Sequence, residues 1–174
     1  MSSKWMSWIV FVAICLAAGA AGAWFTNSSV KTWYPSLRKP AGTPPSWVFA
    51  PVWSVLYLLM ATAAWLVWQE GQARDVRWPL GLFFGQLLLN AAWSLLFFGW
   101  QRPGLALVEV LILLVSIMAT TISFAAYSHY AFWLMTPYLG WVGYATYLNF
   151  GIWRLNPWIT SKLWTTRVSS QLQN

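Results

Sequence analysis

Two amides one helical turn apart, Gln86 and Asn90, lie in a stretch that carries no charge from position 78 to position 100. An unpaired amide in hydrocarbon costs several kcal/mol, so this pair must meet a neighbouring helix or a ligand. At 100° per residue the two share a stripe with Trp93 and Phe97. Phe49, Trp53, Tyr57, Met60 and Ala64 recur on one face of an earlier segment, and Tyr138, Trp141, Ala145, Asn149 and Ile152 on one face of a later one. Turned towards each other, these faces enclose a space walled by indoles, phenols and a few amides. Such a space suits a flat, largely apolar ligand with sparse polar edges. An aromatic-packed core with no ligand has the same pattern, and periodicity alone does not separate the two.

Other reactive chemistry is thin. Glu109 is the only acid inside an apolar run, which makes it a functional candidate. It lies near Arg102 in sequence, and an ion pair with Arg102, Arg38 or Lys39 is the expected arrangement. His129 stands alone in a short connection and Cys15 is the single cysteine, so no metal site and no disulfide within the chain is expected. One His and three acids do not make an ordinary nucleophile–base–acid set, and no glycine-rich phosphate loop is present.

The elements that position these residues follow from composition. Of the 174 residues, 59% are hydrophobic and only 7% charged, against about 25% charged in soluble domains. Thirteen charged side chains (10 basic, 3 acidic) cannot coat a soluble fold, so lipid must cover most of the exterior. Uncharged runs cover 5–25, 47–68, 78–100 and 131–153, and the run 105–127 contains only Glu109. Each has about the 20 residues that a helix needs to cross the hydrocarbon core. None alternates in polarity as a barrel strand does. The expectation is an all-α membrane protein, a five-helix transmembrane bundle with helices near 5–26, 46–69, 78–101, 103–127 and 131–156. These form one domain over 1–157, followed by a polar basic tail, 158–174.

Lys4 and the string AAGAAGA resemble a secretory signal, but the run is long and Trp-rich at both ends, which favours a retained span. Prolines 35, 40, 44 and 45 make 27–45 a long loop between the first two helices. Many of the 16 Trp lie near the ends of apolar runs, as expected for the membrane interface, whereas Trp53, Trp93 and Trp141 lie deeper. The net charge of +7 fits the positive-inside bias better than nucleic-acid binding. Lys31, Arg38, Lys39, Arg102, Arg154, Lys162 and Arg167 fall on one side, and Lys4, Arg74 and Arg77 on the other. That count places the first loop and the carboxyl terminus in the cytoplasm. With no Arg-rich transit segment, a bacterial membrane is expected. On the third helix, Gly81 and Gly85 have the small-xxx-small spacing of close helix packing, within the monomer or across a homodimer seam.

Longer motifs carry a resemblance. Trp33-Tyr34-Pro35-Ser36-Leu37-Arg38-Lys39-Pro40, followed by Pro44-Pro45-Ser46-Trp47-Val48-Phe49-Ala50-Pro51-Val52-Trp53, resembles the signature of the TspO/MBR family of tryptophan-rich sensory and translocator proteins. GQLLLNAAWSLLFFG at 85–99, ALVEVLIL at 106–113 and PYLGWVGYATYLNFGIWRLN at 137–156 extend the similarity over about 5–157. The resemblance implies a five-helix bundle, often dimeric through positions matching Gly81 and Gly85, with a pocket closed by the first loop. It implies binding of porphyrins and haem-pathway intermediates, sterols and benzodiazepine-site ligands, with no obligatory cofactor. The implied pocket positions are Tyr34, Trp53, Asn90, Trp93, Trp141 and Ala145, to which the inward stripes add Gln86 and Phe49. Some relatives degrade porphyrins in light, which would make Trp53 and Trp141 catalytic. In the sterol pattern Leu148, Phe150 and Arg154 stand where the family has Leu/Val, Tyr and a basic residue; Phe150 lacks the hydroxyl, and the pattern is weak even when intact.

Overall fold

The computed structural model describes residues 2–158; the tail expected at 158–174, and with it Lys162 and Arg167 of the charge count, lies almost wholly outside the described residues. Five helices run α1 (Ser2–Thr32), α2 (Phe49–Gln69), α3 (Arg77–Ser94), α4 (Pro103–Ala125) and α5 (His129–Leu155), with no strand among the described residues. Among the described residues, four apolar stretches are long enough to cross a membrane: Lys4–Thr32, Ser46–Gln69, Arg77–Gly99 and Pro103–Ala125. The fifth helix is 27 residues long and is not one of these four stretches.

Side-chain hydroxyls inside the helices are satisfied locally. Thr26, Thr62, Thr120, Thr121, Thr136 and Thr146 each donate to the carbonyl four residues earlier, at 2.8–3.0 Å. That is how a hydroxyl avoids an unmet bond in lipid. The same device carries α1 beyond the expected end at residue 26. Thr32 donates to Ser28 O at 2.8 Å, and Ser29 donates to Phe98 O at 2.7 Å. The segment 27–32 is therefore helix rather than loop. Helical structure breaks off where Pro35 enters a 3₁₀ turn, Tyr34–Ser36.

α3 ends in a π turn, Leu95–Gly99, closed by Trp100 N–H on Leu95 O at 2.7 Å. The wider turn places Phe97 and Phe98 on the same interior as Trp93, with Trp93 and Phe97 stacked at 5.2 Å. Pro103 at the first position of α4 loses no helical bond.

α4 packs on α5 and α3, and α1 on α2 and α3. The main core joins Phe11 and Cys15 of α1 to Met60 and Ala64 of α2, Phe83 of α3, Ile117 of α4 and Tyr138 of α5. Gly19 lets α1 approach α2: a Cβ there would stand 2.6 Å from the Tyr57 ring. Gly19→Val should therefore lower stability by about 1–3 kcal/mol, read from chemical denaturation in detergent.

Candidate functional site

A cavity of about 270 Å³ lies between α1, α2, α3 and α5. Tyr34, Phe49, Trp53, Asn90, Trp93, Trp141 and Ala145 all line it. Its walls are mainly aromatic. Trp53 lies 5.6 Å from the Tyr57 ring and 6.2 Å from Tyr138, and Phe49 meets Trp141 edge-on at 6.0 Å. Tyr34 enters from the first loop, buried against Phe97, Leu37 and Ile152. Burial, with Tyr144 nearby, pushes its phenol above the ordinary value, so it stays a neutral donor.

The amides bond to the protein, except that Gln86 Nε2 is a buried donor without a partner among the described residues. Tyr57 donates to Asn90 Oδ1 at 2.7 Å, Asn90 Nδ2 donates to the Tyr138 hydroxyl at 3.1 Å, and Tyr138 donates to Gln86 Oε1 at 2.8 Å. This chain ties α2, α3 and α5 together beneath the cavity. Gln86 is fully buried at its far end and does not line the cavity. It shares a stripe with Asn90 but sits a turn deeper, where the core is filled. Asn149 accepts from Trp93 Nε1 at 3.1 Å and donates to Pro103 O at 2.7 Å. Trp141 Nε1 is a buried donor without a partner among the described residues.

The first loop is fastened to α5. Asn156 is a two-way clasp: its Oδ1 accepts from Arg38 N–H at 3.0 Å and its Nδ2 donates to Arg38 O at 2.9 Å. Tyr144 donates to Gly42 O at 2.6 Å and Tyr147 to Ala41 O at 3.3 Å. Pro40 fills the notch left by Gly151, where a Cβ would lie 2.6 Å from the ring. Lys39 Nζ sits 4.7 Å from the Tyr34 ring centroid. Gly151→Val should lift the loop from α5 and speed hydrogen exchange of the Arg38 and Thr43 amides at least tenfold.

Several expectations are corrected. Glu109 is buried and neither carboxyl oxygen has a partner among the described residues, so the pair with Arg102, Arg38 or Lys39 does not form. The one salt bridge among the described residues is the exposed Arg77–Asp75 contact at 3.9 Å. The α4 backbone carries Glu109 into the core, while Lys39 Nζ stays with the loop, donating to Leu37 O at 3.4 Å. The sterol pattern does not share a surface: Leu148 is buried and lines the cavity, whereas Phe150 and Arg154 are exposed on the outside of α5. Gly81 and Gly85 are exposed, with nothing within 4 Å of either added Cβ, so they make no close helix packing within this chain. His129 accepts from Trp133 Nε1 at 2.9 Å, and no metal-binding cluster occurs among the described residues.

Sequence reasoning missed the α1 wall. Gly19, Gly22, Ala23, Thr26, Asn27 and Val30 all line the cavity, and Ser94 closes against Gly22. Small residues have no hydrophobic periodicity to mark a face. The available signal was that string itself, since successive glycines and alanines leave room beside a helix.

Comparison with known proteins agrees with this architecture. The profile of the TspO/MBR family matches residues 11–154. A tryptophan-rich protein TspO from Archaeoglobus fulgidus is 42% identical over 127 residues, covering 73% of this chain and 82% of that protein. The translocator protein of Bos taurus is 37% identical over 146 residues, covering 83% and 86%. A tryptophan-rich sensory protein from Cereibacter sphaeroides is 37% identical over 142 residues, covering 81% and 85%.

Proposed function

The chain belongs to the TspO/MBR family, and on that premise we propose that it is a five-span membrane receptor or transporter-like protein whose cavity binds flat tetrapyrroles of the porphyrin class. The observation that carries this is the single cavity on which Trp53, Trp93 and Trp141 converge. Indole faces give a planar apolar ring large contact area without needing many polar partners. Asn90 and Asn149 already bond to protein groups, so affinity comes mainly from apolar burial, at about 25 cal/mol per Å² before ordering losses. Arg38 and Lys39 on the loop supply positive charge for ring carboxylates.

The sterol reading is weaker, since Leu148 faces the cavity while Phe150 and Arg154 face outward. The proposed setting is a bacterial membrane, with the first loop and carboxyl terminus cytoplasmic by the charge count. The outward-facing Gly81 and Gly85 support a homodimer seam. The test is titration of nanodisc-embedded protein with protoporphyrin, haem and cholesterol, read by porphyrin absorbance and Trp fluorescence. Saturable quenching by protoporphyrin is expected; its absence with all three ligands removes the proposal.

A second reading, light-dependent porphyrin breakdown, is favoured by one observation: Trp53 and Trp141 border the same cavity. An excited ring would take an electron from an adjacent indole, leaving a porphyrin radical anion and an indole radical cation, and dissolved dioxygen would be the oxidant consumed as the ring is lost. In the double variant Trp53→Phe/Trp141→Phe, porphyrin should still bind, within about tenfold of the original affinity, while light-driven loss of protoporphyrin stops. Persistence of that loss at the original rate would leave a binding protein only.

A further inference from the structure

Twenty-two residues line the cavity, and the exposed ones among them are Ala23 and Asn27 on α1 and Ser46 and Ala50 at the start of α2. All four lie along one seam, where the end of α1 faces the beginning of α2. The seam is closed further along. Gly19 brings α1 against the Tyr57 ring, Trp8 Nε1 donates to Thr62 Oγ1 at 3.2 Å, and Trp65 Nε1 donates to Ser7 Oγ at 3.3 Å. The two helices are thus fastened at the far end, and the exposed cavity-lining residues lie at the loop end. On the α5 side the first loop covers the site, held by the Asn156 clasp, the Tyr144 and Tyr147 bonds and the Pro40–Gly151 contact.

We propose that the opening between Ala23/Asn27 and Ser46/Ala50 is a lateral portal through which a membrane-dissolved amphiphile enters from the lipid, while the clasped loop shuts the aqueous route. Both flanking segments belong to stretches long and apolar enough to cross the bilayer, Lys4–Thr32 and Ser46–Gln69, so the gap faces acyl chains near one membrane surface. The side chains bordering the opening are small, Ala23 and Ala50 above all, so little bulk stands in the way of a flat ring. Asn27 and Ser46 give its polar edge hydrogen-bonding groups at the surface end, and Lys31 lies one turn beyond Asn27 on α1. The selected ligand class is a planar apolar molecule with one polar or anionic edge, already partitioned into the membrane. This rests on the cavity being a ligand site, and it adds the route and the phase from which the ligand comes.

Two measurements on full-length protein in nanodiscs test it. In the first, Ala50→Phe narrows the portal, and uptake and release of protoporphyrin preloaded into the lipid are followed by porphyrin fluorescence. On- and off-rates should fall together by at least tenfold, so that affinity moves much less than either rate. Unchanged rates overturn the portal. The second needs no porphyrin. A bimane label on Ala50→Cys should be quenched by spin-labelled lipid and protected from aqueous iodide; Cys15 is fully buried and does not compete for the label. Quenching by iodide and not by lipid overturns the portal even if porphyrin binds. If wild-type protein takes up no porphyrin but the label is lipid-quenched, the tetrapyrrole reading falls and the portal stands for another membrane-dissolved ligand.

Discussion

Asn90→Leu should destabilise the bundle by about 2–3 kcal/mol while changing porphyrin affinity less than fivefold. Asn90 accepts from Tyr57 at 2.7 Å and donates to Tyr138 at 3.1 Å, and all three side chains are buried. Leucine nearly matches its shape, so the loss is mainly hydrogen bonding. Tyr57 is left with a buried hydroxyl lacking its acceptor, and Tyr138 loses a donor. Each orphaned buried group costs about 1–3 kcal/mol. Interhelical bonds in membranes average nearer 0.6 kcal/mol, because the unfolded chain also finds partners. Two bonds and one orphaned phenol therefore place the sum at the stated value. Denaturation in mixed micelles measures it, and Tyr57→Phe in the same background should recover a large part of the loss. A full loss of porphyrin binding with unchanged stability would instead make Asn90 a ligand contact first.

This division of labour was only partly legible in the sequence. The all-helical build was, because long uncharged runs leave few alternatives in a 174-residue chain. The aromatic walls were as well: a 100° periodicity selects Trp53, Trp93 and Trp141, and all three border one cavity. Depth was not. Gln86 and Asn90 lie on one stripe, yet only Asn90 reaches the cavity, since α5 fills the level of Gln86 with Tyr138. The α1 wall was hidden because glycine and alanine mark no face. Nor does the sequence show that 27–32 is helical. Ser and Thr read as loop formers there, but their hydroxyls bond back to helix carbonyls and to Phe98 O. The clasp depended on a pairing across 118 positions, Asn156 with Arg38, which no local pattern encodes.

Glu109 gives the prediction with the less intuitive sign. Glu109→Met should stabilise the protein by about 1–3 kcal/mol. The carboxyl is buried on α4, among residues such as Ala106, Val110 and Leu113, and neither oxygen finds a donor among the described residues. A buried neutral polar group with unmet bonds costs about that much, and an unpaired ionised carboxylate costs more. Replacing it with an apolar side chain of similar length removes the penalty and fills the same volume. Glu109→Gln separates shape from charge: it retains the polar atoms without the ionisable group, and should leave stability closer to wild type than methionine does. Denaturation midpoints in one detergent compare all three proteins. A loss of more than 1 kcal/mol in both variants would mean that the acid is held by a partner outside the described residues, and the uncompensated burial would be wrong. A gain in the methionine variant combined with lost porphyrin binding would give the acid a functional reason to persist: a group kept at a cost in stability on the helix that backs the cavity-lining α5.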